Sequence, residues 1–450
     1  MSCKLMHFLW YVSVLTSPFE KGGCQSRVRR GCFFYSIALV LILFLAQSVY
    51  AEIIKSYTIK LAPVCQKNNT LTVFSASQLP YLIGRPLRQL AFYHFSEQSE
   101  AMQASLQPIV FQIDQKDEQA RFVLQPAGDN NALLSERDEL VIRTEDLGNK
   151  LENNHETLLK KYKLVEIKVL SESLDKPEFI YINIDSSKPS EPVVKKKYLN
   201  YNKTDDVVST DNFKIGFSEL NPFLVDEFHW KLDNGQWSDD LSDMMKIRHK
   251  GRFLGLKFRR TQDDYSSVLT AVKQGPLRVI RRTENRIKVF WKLKTPALLI
   301  DYIMTQDGFI MDTIIDIPFK ISFFFSNLET ITTMDWNPDQ SGHMSVYSPK
   351  LGTAIRIDGI DSKLKHKFNT IEDTHFSVAT SKDILDVDLQ IPKNFPVRAM
   401  LYLADKPDTA DPPENFPGQT GNVGFKTLGW ENIDGRLYHL KFTVCINKSL

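Results

Sequence analysis

The stretch FIMDTIIDI, residues 309–317, decides the fold class. Taken alternately, its residues place Phe, Met, Thr, Ile and Ile on one face and Ile, Asp, Ile and Asp on the other. Side chains of a β-strand alternate between the two faces of its sheet, so the pattern predicts a half-buried strand of an antiparallel sheet. The stretch RIKVFWKLK, residues 286–294, alternates almost as strictly and predicts a second strand of this kind.

The same period of two recurs in shorter segments along most of the chain. They are residues 58–61, 71–74, 108–113, 121–124, 139–143 and 164–169, with Asp, Asn, Gly and Pro clusters between several of them. Short strands with such turns are typical of β-sandwiches. Residues 320–325 (KISFFF) are a candidate core strand, and residues 96–106 and 151–161 are short helical candidates. We therefore predict an all-β protein.

A change in composition divides the chain. Between residues 185 and 203 Ser, Pro, Lys and Asn dominate, and Lys195-Lys196-Lys197 lies within this stretch. A charge run of this kind is typical of a solvated linker. We predict an N-terminal β-sandwich at 52–190, a linker at 191–203 and a larger, antiparallel β-supersandwich-like domain at 204–450.

The first 51 residues have the composition of a leader. Three arginines at 27, 29 and 30 precede an apolar run at 33–46, and Val49-Tyr50-Ala51 offers a signal peptidase site. The run is shorter than the ~20 residues that span a bilayer, which disfavours the alternative of a transmembrane anchor. We predict a signal peptide at 1–51 with a start near Val28. The mature protein is then periplasmic or secreted in a bacterium, with no membrane span after cleavage.

Charge and cysteine content both change once this leader is removed. Taking its five basic residues and one acidic residue from totals of 56 and 54 leaves 51 basic and 53 acidic residues. Such a balance gives no basic footprint for nucleic acid, so we predict no nucleic-acid partner. Cys65 and Cys445 are the two remaining cysteines, and in an oxidising compartment we predict a disulfide between them. Two separately buried thiols are the alternative.

Cofactor motifs are missing from the sequence. It has no Gly-rich phosphate loop, no His-Glu-x-x-His and no Cys-x-x-Cys, which makes nucleotide-dependent chemistry an unfavoured interpretation. We expect no cofactor, with Ca²⁺ as the open alternative because that cation prefers oxygen ligands. Its candidate ligands are Asp114, Asp117 and Glu118, or Asp138 and Glu139, which also fit hairpin turns.

Residues 274–282 (QGPLRVIRR) resemble a strand opening of β-supersandwich domains. That group includes galactose mutarotase-like proteins, several polysaccharide lyases and the C-terminal parts of some glycosidases. In it, a Gly-Pro-(Val/Leu)-Arg turn, here Gly275-Pro276-Leu277-Arg278, leads into a central strand of the large sheet. The resemblance extends loosely over the strand pattern of 204–450 and implies a concave sheet that faces sugars. It does not imply retained catalysis.

Two basic clusters are candidate ligand-binding sites. In residues 246–252 (KIRHKGR), a strand would place Arg248 among cations on one face and His249 on the other. The cations either bind a carboxylated sugar or form a solvated face, with His249 a core histidine. Arg278 and Asp312 either line a saccharide groove or form ion-paired scaffolding. Trp336 and Trp430 are candidate sugar-stacking rings, and Trp430 follows an irregular stretch at 411–425.

A glycoside-processing site requires an acid and a base. Among the histidines and carboxylates of the second half, we select His375 and Glu431 as the catalytic candidates. The resulting hypothesis is an exported protein that binds or processes a polysaccharide or glycan, such as a lyase or an epimerase. The competing hypothesis is a non-catalytic structural or assembly protein whose partner is a cell-envelope protein.

Overall fold

The prediction of an all-β protein is confirmed. A computed structural model describes residues 53–60, 65, 70–96, 105–125, 132–152, 162–171, 174, 176–184, 197–337, 343–406 and 421–448. Within these ranges there are 27 strands, one α-helix, α1 (Lys363–Phe368), and short 3₁₀ turns. The predicted signal peptide and residues 191–196 of the predicted linker lie outside the described residues, whereas residues 197–203 are described and include a short strand at Asn200–Asn202. No helix within the described ranges is long and apolar enough to cross a membrane.

The strands are numbered in chain order. Those before residue 230 are β1 (Ile53–Lys60), β2 (Leu71–Ser75), β3 (Ala91–Ser96), β4 (Ser105–Pro108), β5 (Phe111–Asp114), β6 (Glu139–Arg143), β7 (Leu164–Leu170), β8 (Glu178–Asn183), β9 (Asn200–Asn202), β10 (Val207–Ser209), β11 (Phe213–Phe217) and β12 (Val225–Trp230). Those that follow are β13 (Ser242–Phe253), β14 (Leu256–Thr261), β15 (Tyr265–Gln274), β16 (Val279–Phe290), β17 (Leu293–Lys294), β18 (Leu298–Thr305), β19 (Gly308–Asp316), β20 (Phe325–Trp336), β21 (Ser345–Tyr347), β22 (Ala354–Arg356), β23 (His375–Ala379), β24 (Asp383–Gln390), β25 (Arg398–Ala404), β26 (Asn422–Leu428) and β27 (Leu437–Lys448).

The 3₁₀ turns connect these strands. They are Ala76–Gln78, Pro80–Leu82, Leu87–Gln89, Thr144–Asp146, Gln262–Asp264, Ile321–Phe323 and Trp430–Asn432.

The N-terminal part contains two sheets. One has the order β1-β7-β8-β3-β4 and the other β2-β6-β5. Strands β1 and β7 are parallel, while their neighbours pair antiparallel. Leu140, Ile142, Val165 and Ile167 are fully buried in the shared core, as the alternation of these segments predicts.

The C-terminal part is built on two larger sheets. The short sheet has the order β14-β13-β20-β26-β25, and the long sheet runs β15-β16-β18-β19-β27-β24-β23-β21-β22 with β17 paired to β16. A four-stranded sheet, β12-β11-β10-β9, contributes to the same hydrophobic core. Of the two segments that predicted half-buried strands, residues 309–317 form β19, whereas residues 286–294 are not one strand. They comprise the end of β16, a turn at Trp291 and Lys292, and β17, which pairs back onto β16. Strands β16 and β19 lie inside the long sheet, where each has a partner on either side.

The prediction of a core strand at 320–325 was also wrong. Residues 320–325 are not a core strand, because Ile321–Phe323 forms a 3₁₀ turn and Phe323 is 70% exposed. Three consecutive Phe residues cannot alternate between a core and a solvent face, so burying all of them in one sheet is unfavourable. Of the helical candidate at 96–106, only Ser96, Ser105 and Leu106 are described, and they lie in β3 and β4. The candidate at 151–161 lies largely outside the described residues.

Cys65 and Cys445 are at disulfide distance. Their Cα atoms are 5.6 Å apart, within the range that a disulfide needs, and 380 positions separate them in sequence. Cys445 lies in β27 of the long sheet, so the bond would tie the segment after β1 to the last strand. Closing so long a loop restricts the unfolded chain and stabilises the fold by roughly 4 kcal/mol.

We therefore expect no free thiol at Cys65 or Cys445 in the mature protein. The measurement is alkylation of denatured, non-reduced protein followed by intact mass determination. Neither cysteine should be labelled before reduction, and both should be labelled after it. Two labelled thiols before reduction would refute the pairing.

Candidate functional site

A cavity of about 940 Å³ lies between the short sheet and the long sheet. Strands β13, β20 and β26 supply one wall, and β16, β18, β19 and β27 supply the other. Aliphatic and aromatic side chains form most of the lining, among them Ile247, Phe258, Ile300, Met311, Ile315, Phe425, Leu440 and Phe442. Phe323 and Phe324 are exposed and also line the space, so the cavity opens beside them.

Three polar side chains form a hydrogen-bonded group in the cavity wall. The Nδ1 atom of His249 is 2.8 Å from Thr330 Oγ1, and its Nε2 atom is 2.7 Å from Tyr265 Oη. Both ring nitrogens are thus engaged, which holds the imidazole in one orientation. Burial lowers the pKa of His249 to about 4 and raises the pKa of Tyr265. The group is therefore neutral at pH 7 and suits an apolar wall.

The pKa of His249 predicts a pH-dependent stability. The unfolded chain takes up the proton near pH 6.5, whereas the folded protein resists it down to about pH 4. Because the unfolded state binds more protons in this window, stability falls as the pH decreases from about 6.5 toward about 4. Between pH 7 and pH 5, this difference in pKa lowers the free energy of unfolding by roughly 2 kcal/mol.

His249→Gln should remove this part of the pH dependence. The free energy of unfolding is measured by urea titration at pH 7 and pH 5. His366→Gln is the matched control, because the His366 side chain is 71% exposed. An unchanged pH dependence in His249→Gln, compared with both wild type and control, would contradict the account.

Of the predicted ligand-binding residues, two line the cavity. These are His249 and Trp430. The Nε1 atom of Trp430 donates to Thr427 Oγ1 at 2.8 Å. Arg248 is 1% exposed, points to the opposite face of β13 and donates to Thr333 Oγ1 at 2.9 Å. The interpretation of these cations as a solvated face is therefore wrong for Arg248, because its side chain is buried. Trp336 is buried beside a separate cavity of about 50 Å³.

Arg278 and Asp312 lie elsewhere in the fold. Asp312 is buried in β19 beside His439, whose Nδ1 atom is 3.1 Å from its carboxylate. Arg278 ends the Gly-Pro-Leu-Arg turn between β15 and β16, and it is buried against strands β5 and β6 of the N-terminal part. Arg278 is therefore ion-paired, but its partners are Asp114 and Glu139 rather than Asp312, whose contact is the ring of His439.

The contacts of Arg278 form a compact cluster. Its guanidinium bonds to Asp114 through Nε and to Glu139 through Nη2, the latter at 2.5 Å. Burial would raise the pKa of Asp114, but Arg278 and Lys273 outweigh it and lower that pKa. Arg278 and Lys116 likewise overcome burial and lower the pKa of Glu139 to about 2. Both carboxylates are therefore ionised at pH 7.

A glutamine explains the glycine of this turn. Gln112 Oε1 accepts from the backbone N–H groups of Leu277 and Arg278, at 3.1 and 3.0 Å. Its amide lies so close to Gly275 that a Cβ atom there would clash with it. A Cβ atom at position 275 would displace the Gln112 amide from these hydrogen bonds, so Gly275 has a packing role in the motif that carried the family resemblance.

The predicted catalytic residues make separate contacts. His375 Nδ1 is 2.9 Å from Asp388 on the neighbouring strand, and this hydrogen bond raises the pKa of His375. Glu431 follows Trp430 in a 3₁₀ turn and accepts from the backbone N–H of Leu328 at 3.0 Å. Neither residue lines the cavity. Their catalytic role stays a prediction.

The candidate calcium ligands contact protein groups. Asp114 and Glu139 pair with Arg278, and Asp117 accepts from Arg121. Asp138 accepts from the backbone N–H groups of Lys116 and Ser135. No group of three or more His, Cys, Asp or Glu residues suited to a metal ion occurs in the part of the chain that the structure describes.

Sequence reasoning missed most of the cavity lining. The missed residues include Thr313 and Thr332, which lie on β19 and β20 in the two opposed sheets. It also missed Arg286 and Lys294 as charged lining residues. A signal was present in residues 286–294, where four cations surround Phe290 and Trp291 in an otherwise strand-like pattern.

Comparison with known proteins gives a sparse result. No family model matches the chain, and no curated protein matches it. Among solved structures, an alpha-mannosidase from Enterococcus faecalis V583 is similar, with a TM-score of 0.38 and 9% sequence identity. The match covers 83% of this chain and 45% of that one, so the present chain spans less than half the length of that protein. A similarity at this level carries no conclusion about activity.

Proposed function

We propose that this protein binds an amphiphile by enclosing its acyl chain in the cavity between the short and long sheets. The observation that carries the proposal is the cavity itself, with its volume of about 940 Å³ and its largely apolar wall. Ligand pockets commonly measure about 300–1,000 Å³ and are lined mainly by hydrophobic side chains.

The cavity is larger than an ordinary packing defect and opens to solvent beside Phe323 and Phe324. Empty cavities cost about 24 cal/mol per Å³, so a closed, dry space of 940 Å³ would cost on the order of 20 kcal/mol. That exceeds the whole stability of a typical domain, about 5–15 kcal/mol. Ordered water needs two to four polar partners per molecule, and an apolar wall offers few of them. An apolar ligand therefore satisfies this wall better than water does.

The charges of the lining favour an anionic headgroup. Arg286 and Lys294 line the cavity, and no acidic side chain does so among the described residues. Both lie in exposed positions of β16 and β17, beside Val289 and Leu293 of the lining. A carboxylate or phosphate at the opening would meet these cations while its acyl chain extends inward.

A saccharide is the less suitable occupant of this cavity. Sugar hydroxyls need hydrogen-bond partners when they leave water, and an unsatisfied buried hydroxyl is costly. Arg248, Arg278 and Asp312, which would supply such partners, do not line the cavity. Glycan binding and envelope assembly stay predictions from the sequence. A glycan array with the mature protein tests the first of them.

We place this binding outside the cytoplasm. The apolar run followed by Val49-Tyr50-Ala51 supports export, and a disulfide between Cys65 and Cys445 would require an oxidising compartment. Sequencing the N-terminus of the mature protein tests the export step.

The experiment that tests the ligand proposal is titration with a fluorescent long-chain fatty acid, followed by displacement with unlabelled fatty acids. We expect saturable binding with one chain per cavity. Each added methylene should contribute about 0.8 kcal/mol, or roughly fourfold in affinity, until the chain exceeds the cavity. Affinity that does not depend on chain length, or no saturable binding, would overturn the proposal.

A further inference from the structure

Three loop tips meet around the opening of the cavity. They comprise residues 250–260, 286–294 and 317–325 and are called the three tips below. Phe253 pairs with Phe325 across β13 and β20, and the Leu254 N–H donates to Phe324 O at 2.8 Å. Arg260 joins the remaining tip by donating to the backbone carbonyls of Lys288 and Val289, at 2.6 and 2.5 Å.

Exposed apolar side chains concentrate on the three tips. Eight of the seventeen large hydrophobic residues that are exposed in the described ranges lie there: Leu254, Leu256, Phe290, Trp291, Leu293, Phe319, Phe323 and Phe324. Trp291 is the most exposed of them at 79%. A concentration of exposed apolar side chains is typical of a surface that contacts another apolar phase.

Two of the tips are two-residue hairpin turns, and each carries a large apolar residue at a positive φ. Leu254 has a φ of 49° and Trp291 a φ of 44°, in the left-handed region that normally favours Gly or Asn. A large apolar side chain gains nothing from solvent exposure at such a position. Strained residues that the surrounding structure maintains commonly serve function.

The charge of the three tips is of one sign. Residues 250–260 contain five Lys or Arg, residues 286–294 contain four, and residues 317–325 contain Lys320, with no Asp or Glu in any of them. Three of the acidic residues that flank the tips pair with cations at their base, whereas Asp316, directly before residues 317–325, is exposed. Glu329 pairs with Lys250, Glu284 with Arg286, and Asp264 with Arg260.

We propose that the three tips dock this protein onto an anionic phospholipid surface. Apolar and aromatic side chains insert at the interface, and the surrounding Lys and Arg residues attract anionic headgroups. Lysine is depleted in the cores of protein interfaces, which disfavours a protein partner for the same surface. The inference rests on the exposed tips and does not depend on what fills the cavity.

Vesicle flotation tests the inference with the mature protein. Phosphatidylglycerol vesicles should retain at least tenfold more protein than phosphatidylcholine vesicles, and added salt should weaken the binding. Leu256→Ser with Trp291→Ser, at two tip residues outside the cavity lining, should reduce the bound fraction at least tenfold. The control, Leu133→Ser with Leu220→Ser, removes two apolar side chains that are 52% and 87% exposed elsewhere and should leave binding unchanged.

The outcomes separate this inference from the proposed ligand. The tip variant should still bind the fluorescent fatty acid, and a variant with a blocked cavity should still bind vesicles. No association with either vesicle, equal association with both, or equal loss in the control variant would overturn the inference. A further outcome would also overturn the inference: the wild-type protein self-associates but does not bind vesicles, and the tip variant no longer self-associates. The surface would then contact a second copy of the chain.

Discussion

Arg278→Ala is expected to destabilise the fold by roughly 3–5 kcal/mol, because it leaves Asp114 and Glu139 without their shared guanidinium. Asp114 is fully buried and would retain Lys273 as its cation. Removing one member of a buried charged cluster lowers the stability by more than the intact cluster adds to it, because the remaining charges stay buried without their partner. The measurement is the free energy of unfolding from urea titration at pH 7.

Arg286→Ala is the matched control, in the strand that follows the Arg278 turn. Its ion pair with Glu284 is largely exposed, so we expect a loss of about 0–1 kcal/mol. The pKa of Glu139 adds a second readout. It is lowered to about 2, so its stabilising contribution is present above about pH 4.5 and is lost as the pH falls toward 2. Equal stability losses in the two variants would contradict the structural role of Arg278.

The double variant Thr313→Trp with Thr332→Trp should lower the affinity for the fluorescent fatty acid at least tenfold. The two threonines line the cavity from opposite sheets, so indole rings at both positions would occupy the space of the acyl chain. We expect the fold to persist, because the new rings enter existing space rather than a packed core. The measurement is direct titration, with far-UV circular dichroism as the check on folding.

The matched control carries the same two substitutions on the surface. Thr270 in β15 and Thr353 before β22 are exposed, so Thr270→Trp with Thr353→Trp should leave the affinity unchanged. If the cavity variant folds and binds as tightly as wild type, the ligand does not occupy this space.

The sequence predicted the strands well wherever one face is buried and the other is not. The alternation in residues 309–317 places Met311, Thr313 and Ile315 toward the cavity and Asp312 on the opposite face of β19. The prediction failed at residues 320–325. The apolar side chains there lie at the opening of the cavity, and local hydrophobicity does not distinguish such a position from a core.

The site was harder to predict because its determinants are not local. Arg278 meets Asp114 and Glu139 from more than one hundred positions away in sequence, so spacing along the chain does not reveal the cluster. The cavity arises from the gap between two sheets, which no single strand encodes. The alternation of β13 correctly places His249 on the face opposite Arg248, but the partners Thr330 and Tyr265 belong to other strands and its role in ligand binding stays a prediction.

The most direct test of the proposed function is a crystal structure of the mature protein with a long-chain fatty acid that carries bromine near its methyl end. We predict an anomalous bromine peak between β19 and β20, near Thr313 and Thr332, with the carboxylate toward Arg286 and Lys294. Bromine peaks confined to the outer surface, with the cavity filled by ordered water alone, would contradict the proposal that this protein encloses an acyl chain.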